Sequence, residues 1–276
     1  MIRADMHIHT YYSDGTQSPA DVIAAAKRAG LGLICVTDHD TMGASDEVKS
    51  LAQEEGIRAV DGIEISAYGD VKVHILGYGL DKNCPAFKKY YREAVEGSFA
   101  RCEDTLKKLK ERGMTVPMEA VLAERTVEGT PVHSMFICRA AAKLGYASSA
   151  GNFYLSYIAD GKCAHSRIGR LSPEQAVEVI AGCGGISSVA HPGRIAMEKQ
   201  AKEGLISRLK ALGLSGIEAV YSGHTEVETA YYKEMAHRFD LLITGGSDTH
   251  FTTGSRSVGT PEFYPDGALL NALKKF

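Results

Sequence analysis

Short apolar runs and longer amphipathic stretches take turns along most of the chain, and their order predicts its elements. The stretch "SPADVIAAAKRAG" opens with Ser18 as a helix N-cap, Pro19 at the first helical position and Asp21 three residues after the cap, and Gly30 closes it. "LGLICV" follows as a short buried strand, then a polar helix around "ASDEVKSLAQEEG", then two β-branched runs, "IRAVDGIEIS" and "VKVHILGYG", that read as strands. A helical stretch runs from near Pro85 to near Gly113. From there to about Lys162 the pattern stays helical with no strand signal, and "HSMFICRAAAKLG" and "NFYLSYIA" are its clearest pieces. Alternation then returns. Helix "SPEQAVEVIAGCG" precedes strand "GISSVAH", a helix over 200–212 precedes "GIEAVYS", and "TEVETAYYKEMAHRF" precedes "LLITGGSD"; "DGALLNALKKF" is the closing helix. Repeated strand–helix units imply parallel strands with helices outside, and about seven of them favour a barrel-like α/β domain over an open sheet. Residues 1–95 and 163–276 are assigned to that barrel, and 96–162 to an all-helical insertion within it.

Composition narrows the class. The chain has 276 residues, 44% of them hydrophobic and 24% charged, with a formal net charge of −3. That suits one large domain or one domain with an insertion. It does not suit a protein that holds duplex nucleic acid by bulk charge, so no stable nucleic-acid partner is expected. No apolar run approaches the ~20 residues that span a bilayer, so no membrane partner is expected either. The six cysteines, Cys35, Cys84, Cys102, Cys138, Cys163 and Cys183, form no C-x-x-C pair, and "MIRADMHIHT" lacks a signal-peptide core. They are expected to be reduced, mostly buried thiols of a cytoplasmic protein.

The chemistry collects at strand ends. His7, His9 and Asp14 follow the first strand, and Asp38, His39 and Asp40 the second; Glu64 ends the third, His74 lies in the fourth, and His191, Asp248 and His250 close later ones. In a parallel barrel the C-terminal strand ends open on one face. Six of the ten histidines therefore converge on one rim with several carboxylates. Residues two apart in a strand point the same way, so His7 and His9 can grip one ion while Ile8 turns into the packing. The candidate ligands are His7, His9, Asp14, His39, Glu64, His74, His191, Asp248 and His250. A single zinc site uses about four ligands. Nine therefore point to two or three divalent ions, with a carboxylate such as Glu64 bridging. Imidazole mixed with carboxylate and no thiolate suits manganese, iron or zinc.

The stretches "DMHIHTYYSDGTQSPADVI", "VTDHDTMGA", "GIEIS", "VHILGYG", "VAHPGR" and "GSDTH" resemble, in order and spacing, the motifs of the PHP (polymerase and histidinol phosphatase) family of metal-dependent phosphoesterases. The resemblance covers roughly residues 1–90 and 165–260. It implies a distorted (β/α)7 TIM-like barrel with a metal cluster at its C-terminal rim and a helical insertion. It also implies three metals. His7, His9, Glu64 and Asp248 would hold the first, Asp14, His39 and His250 the second, and Glu64, His74 and His191 the third. Within the family the chain most resembles enzymes that remove the 3′-phosphate from nucleoside 3′,5′-bisphosphates; a sister activity opens a cyclic sugar phosphate and then removes the phosphate. One departure stands out. The branch carries Arg-Pro-His or Arg-Thr-His ahead of a helix that here reads "VHSMFICRAAAKLGY", so Ser134 replaces the arginine and Phe136 the histidine. Arg139 matches a later arginine, and His133 is placed to compensate.

The implied reaction is hydrolysis of a small phosphorylated substrate by a hydroxide held between metal ions. His191 and His224 are candidate proton donors, and Asp248 is expected to be essential for turnover. Arg194 is a candidate phosphate ligand, since a planar guanidinium matches two phosphate oxygens. Ser222 and His224 are candidate substrate contacts, and Lys162 and Arg167 are candidates to line the pocket from the insertion. Competing expectations are a cyclic sugar-phosphate dihydrolase, a histidinol phosphatase, a single-strand nuclease, and a metal-binding domain without chemistry.

Overall fold

The computed structural model describes residues 1–251 and 256–276. Strand β1 (Ala4–Ile8) leads to helix α1 (Pro19–Arg28), β2 (Leu33–Val36), α2 (Ser45–Glu54), β3 (Arg58–Val60), β4 (Gly62–Tyr68) and β5 (Lys72–Tyr78). Helices α3 (Pro85–Lys110), α4 (Met118–Leu122), α5 (Ser134–Lys143), α6 (Ala150–Phe153) and α7 (Pro173–Gly182) follow without an intervening strand among the described residues. The chain then alternates: β6 (Ile186–Val189), α8 (Lys199–Ala211), β7 (Gly216–Tyr221), α9 (Glu226–Arg238), β8 (Leu242–Gly246) and α10 (Gly267–Ala272). The start of α1 follows its sequence signals. Ser18 and Asp21 form a reciprocal capping box with Pro19 in the first turn, and Ser172, Pro173 and Gln175 repeat it at α7.

The strands form two sheets, a parallel β1-β2-β3 and a mixed β4-β5-β6-β7-β8. Two expectations change here. The run "IRAVDGIEIS" is two strands in different sheets, broken at Asp61. The strands are also not all parallel, because β4 pairs antiparallel with β5, and β5 antiparallel with β6. For β4 and β5 the reason is connection length. Only residues 69–71 separate β4 from β5, whereas a parallel crossover needs about a dozen residues or more. The sheets meet at two seams. The His9 amide donates to the Thr249 carbonyl (3.0 Å) and the Asp248 amide to the His7 carbonyl (2.8 Å) at one seam; the Asp40 amide donates to the Glu64 carbonyl (3.0 Å) at the other. Both seams run through candidate ligands. Gly246 permits the first, since a Cβ there would lie 2.5 Å from the His7 backbone nitrogen.

Apolar packing separates the strand and helical parts. Met6, Leu33, Leu76 and Tyr78 are buried among the strands, and Ile63, Ile75, Val177, Ile206 and Ile217 fill the space between strands and outer helices. Residues Cys102, Leu109, Val121, Phe136, Ile137, Phe153 and Ile158 form a separate cluster of the helical segment. Cys84, the N-cap of α3, and Cys183, the C-cap of α7, are joined in a disulfide with 5.7 Å between their Cα atoms. This corrects the expectation that all six cysteines are thiols. The two helix ends that sequence places 99 residues apart are brought together in space. No described helix is long and apolar enough to cross a membrane.

Candidate metal centre

Glu64 lies at the middle of the site and is fully buried. Its Oε2 is 3.2 Å from His7 Nε2, 3.1 Å from His9 Nε2 and 3.1 Å from His39 Nδ1, and its Oε1 is 2.7 Å from His74 Nδ1 and 2.9 Å from His191 Nε2. One carboxylate therefore meets five imidazoles. Asp248 Oδ1 lies 3.5 Å from His7 Nε2 and 3.4 Å from His9 Nε2; Asp14 Oδ1 lies 3.3 Å from His250 Nε2. Three sets of ligand atoms fall within 4.8 Å of one another: His7, His9, Glu64 and Asp248; His9, Asp14, His39 and His250; and His39, Glu64 and His74. The first contains the four residues grouped by resemblance. The second adds His9, and the third has His39 where the resemblance placed His191.

Hydrogen bonding within the site leaves specific atoms unpaired. Glu64 Oε2, Asp14 Oδ1, His9 Nδ1, His74 Nε2 and His191 Nδ1 are buried without a hydrogen-bond partner. Orphaned lone pairs of this kind are costly in a folded core unless something else satisfies them. Imidazole nitrogens and carboxylate oxygens converging with no thiolate fit divalent cations such as zinc, manganese or iron. The backbone is strained at the same place. His191 (φ 28°), Asp248 (φ 52°) and Asp40 (φ 56°) are non-glycine residues in the left-handed region.

Buried neighbours hold the ligands in orientation. His7 Nδ1 donates to Glu218 Oε1 (2.9 Å), which leaves Nε2 free to face Glu64. The other oxygen of Glu218 accepts from the His191 amide (2.6 Å). His250 Nδ1 donates to the Asp248 carbonyl (2.9 Å), turning its Nε2 toward Asp14. Asp38 accepts from the Thr10 amide and hydroxyl and the Ser13 hydroxyl, at 2.6–2.7 Å, and so fixes the loop that carries Asp14. Titration follows the same arrangement. Burial opposes the charge of His9, but Asp248 and Glu64 more than offset it and hold the ring up at about 10. Burial wins at His74, held down at about 3, and at His133, at about 4. Burial also opposes the charges of Glu64, Asp14 and Asp248, yet the surrounding histidines keep all three well below the usual carboxylate range.

The site opens into a cavity of about 380 Å³ that Lys72, Arg139, Arg194 and Arg256 line beside the ligands. Arg194 and Arg256 each reach Asp248 Oδ2, at 3.2 and 3.1 Å, and the Tyr221 hydroxyl donates to the same oxygen (2.9 Å). The helical side supplies His133, Ser134, Met135, Arg139 and Tyr154. His133 lies 3.2 Å from Asp14 Oδ2 and stacks on His39, while the Arg139 guanidinium donates to the Asp14 carbonyl. Phe136 points away into the helical core.

Four expected contacts do not line this cavity. Both ring nitrogens of His224 are engaged elsewhere, since Nδ1 donates to the Ala219 carbonyl (3.1 Å) and Nε2 accepts from the Gly193 amide (3.1 Å). His224 therefore buttresses the turn carrying His191 and Arg194, and Gly193 is needed there because a Cβ would lie 2.7 Å from the His224 ring. The Ser222 hydroxyl donates to the Ser247 carbonyl (2.7 Å). Lys162 is exposed on its loop, and Arg167 lies over the Tyr68 ring instead. Conversely, Glu218 joins the site from outside the motifs, and an acid inside the apolar strand "GIEAVY" is its signal. Lys72 and Arg256 carried none beyond their charge.

Comparison with known proteins gives the same chemistry. The PHP domain model matches residues 5–146. A phosphoribosyl 1,2-cyclic phosphate 1,2-diphosphodiesterase from Eggerthella lenta is 32% identical, over 89% of this chain and 93% of that protein. A 5′-3′ exoribonuclease from Haemophilus influenzae is 30% identical, over 92% of each chain, and a 3′,5′-nucleoside bisphosphate phosphatase from Chromobacterium violaceum is 30% identical, over 96% and 93%. A solved structure from Chromobacterium violaceum, described as an amidohydrolase with bound sulfate and no metal, superposes with a TM-score of 0.88 at 27% identity, covering 99% of this chain and 96% of that one.

Proposed function

The chain belongs to the PHP family and is a hydrolase of phosphate esters, and from that premise we propose that it cleaves a phosphomonoester of a small ribose-containing metabolite, with a nucleoside 3′,5′-bisphosphate as the leading substrate. The observation that carries this reading is the pairing of the Glu64-centred ligand cluster with four cationic side chains around one cavity. Its volume of about 380 Å³ is within the range of small-molecule pockets. We read the two joined sheets as one distorted barrel, and residues 96–162 as the wall that selects the substrate.

His7, His9, Glu64 and Asp248, with Asp14, His39, His74, His191 and His250, would hold two to three divalent ions, manganese, iron or zinc. Bound ions of this kind supply Lewis acidity toward phosphate oxygens and activate water near neutral pH. The chain's own residues do the rest. Arg194 and Arg256 lie beside Asp248, where each can turn to a phosphate oxygen, and guanidinium geometry suits that contact. Glu218 and Tyr221 keep His7 and Asp248 aimed inward. His191, with Nδ1 unpaired and Nε2 on Glu64, remains the candidate proton donor at the cavity.

A second reading, hydrolysis of a cyclic sugar phosphate, is favoured by Ser134 standing at the head of α5 where an arginine would clamp a phosphate. The leading substrate combines the reacting ester with a second phosphate on the same ribose. Phosphorus NMR of the manganese-loaded protein with a nucleoside 3′,5′-bisphosphate, a ribose cyclic phosphate, histidinol phosphate and a short oligonucleotide separates them. Inorganic phosphate from the bisphosphate is the expected result. Turnover of the cyclic ester or the oligonucleotide alone would replace the leading substrate.

A further inference from the structure

Behind the main cavity lies a smaller one of about 40 Å³, which shares Lys72, Ser134 and Tyr154 with it. By comparable measure a single water needs roughly 10–15 Å³, so the lobe has room for a compact polyatomic group. Its lining carries Lys72, Arg101, Arg170 and His165. Charge there is out of balance. Arg170 pairs with Asp40 at 2.6 Å, and that carboxylate also accepts from the Tyr90 hydroxyl and the Ser66 amide. Among the described residues no carboxylate forms an ion pair with Lys72 or with Arg101. Arg101 donates only to the Ile168 carbonyl (2.7 Å). Burial and the neighbouring Arg170 hold the Arg101 guanidinium down at about 9. His165 adds a second, independent sign. Its Nδ1 donates to the Ile158 carbonyl (3.1 Å), and its buried Nε2 has no hydrogen-bond partner, because Asp160 stops at 3.7 Å.

Lys72, Arg101 and Arg170 are partly buried and, among the described residues, only Arg170 is in an ion pair, so an anion joining them would balance their charge. We propose that this side lobe is a second anion subsite, which holds a non-reacting phosphate of the substrate while the ester to be cleaved lies at the histidine–carboxylate cluster. The proposal rests on the reading of the chain as a phosphoesterase of ribose phosphates, and it names what that substrate must carry: a second phosphate remote from the scissile one. Lys72 stands at the junction of the two cavities, on the same face of β5 as His74 two residues later.

The test uses the manganese-loaded full chain and its Arg101→Gln and Lys72→Met variants. The kcat/KM ratio of adenosine 3′,5′-bisphosphate to adenosine 3′-monophosphate is measured for each. Loss of a charge-assisted phosphate contact lowers that ratio by roughly tenfold or more. A ratio that moves less than fivefold in both variants overturns the subsite. Should the wild type turn over neither compound, the substrate reading fails on its own and the subsite is judged by calorimetry. Adenosine 5′-monophosphate binding at least fivefold weaker in the variants than in the wild type upholds it; equal binding overturns it. Circular dichroism melts of both variants check that the Arg101–Ile168 contact is not merely holding the fold.

Discussion

On the strand side of the cavity several candidate ligands are held twice, by the backbone they hang from and by a buried group behind them. Glu218 stands behind His7, Asp38 behind the Asp14 loop, and Asp5 takes the amides of His7 and Ser247. On the helical side the groups that reach the cavity come from helix ends with less behind them. His133 is itself the N-cap of α5, Ser134 is that helix's first residue, and Arg139 spans the gap to the Asp14 carbonyl. The strand side also shares its apolar core with neighbouring strands, whereas the helical side packs on a core of its own. The difference teaches where each kind of precision is needed. Ligand atoms that converge within a few ångströms tolerate little movement. A wall that shapes a substrate can vary without disturbing them.

The contrast is most easily broken at Asp248. Asp248→Asn keeps the shape but removes a charge from the centre, and kcat should fall at least ~10³-fold, about 4 kcal/mol of transition-state stabilisation. Steady-state turnover together with elemental analysis of bound metal checks this, and near-normal activity would remove Asp248 from the ligand set. Next in size is the helical side. Reducing the Cys84–Cys183 disulfide, or replacing Cys84 with Ser, should cost about 2–4 kcal/mol in urea unfolding. It should raise KM more than it lowers kcat, with metal content unchanged; equal loss of metal would mean that the two sides are not independent. The smallest effect sharpens the strand side. Glu218→Gln should weaken metal affinity roughly 10- to 100-fold by loosening His7, read from metal titration. An unchanged affinity would reduce Glu218 to a core residue.

The sequence disclosed the strand side well and the helical side poorly, for physical reasons. "HIH", "TDHD" and "SDTH" are legible because strand alternation puts residues two apart on one face, so ligands cluster in short motifs. Glu218 obeys the same alternation but stands alone in its strand, without a second polar partner to mark it. His224 looked free because it follows a strand, yet its ring is consumed by the Ala219 carbonyl and the Gly193 amide, a fact set by a turn 31 residues away. The antiparallel hairpin of β4 and β5 was hidden behind the strand–helix rhythm on either side, although three connecting residues leave no room for a helix. Lys72, Arg101 and Arg170 come from a strand, a helix and a loop, and only tertiary packing makes them neighbours.

The disulfide between the caps of α3 and α7 closes residues 84–183 into a ring that carries the helical segment, with α7 packed on the strands. All nine candidate ligands lie outside that ring, before Cys84 or after Cys183. A ring entered and left at one point can be exchanged between related genes without re-threading a strand. On the proposed reading, substrate preference can then be inherited as a cassette while the candidate ligands pass down untouched.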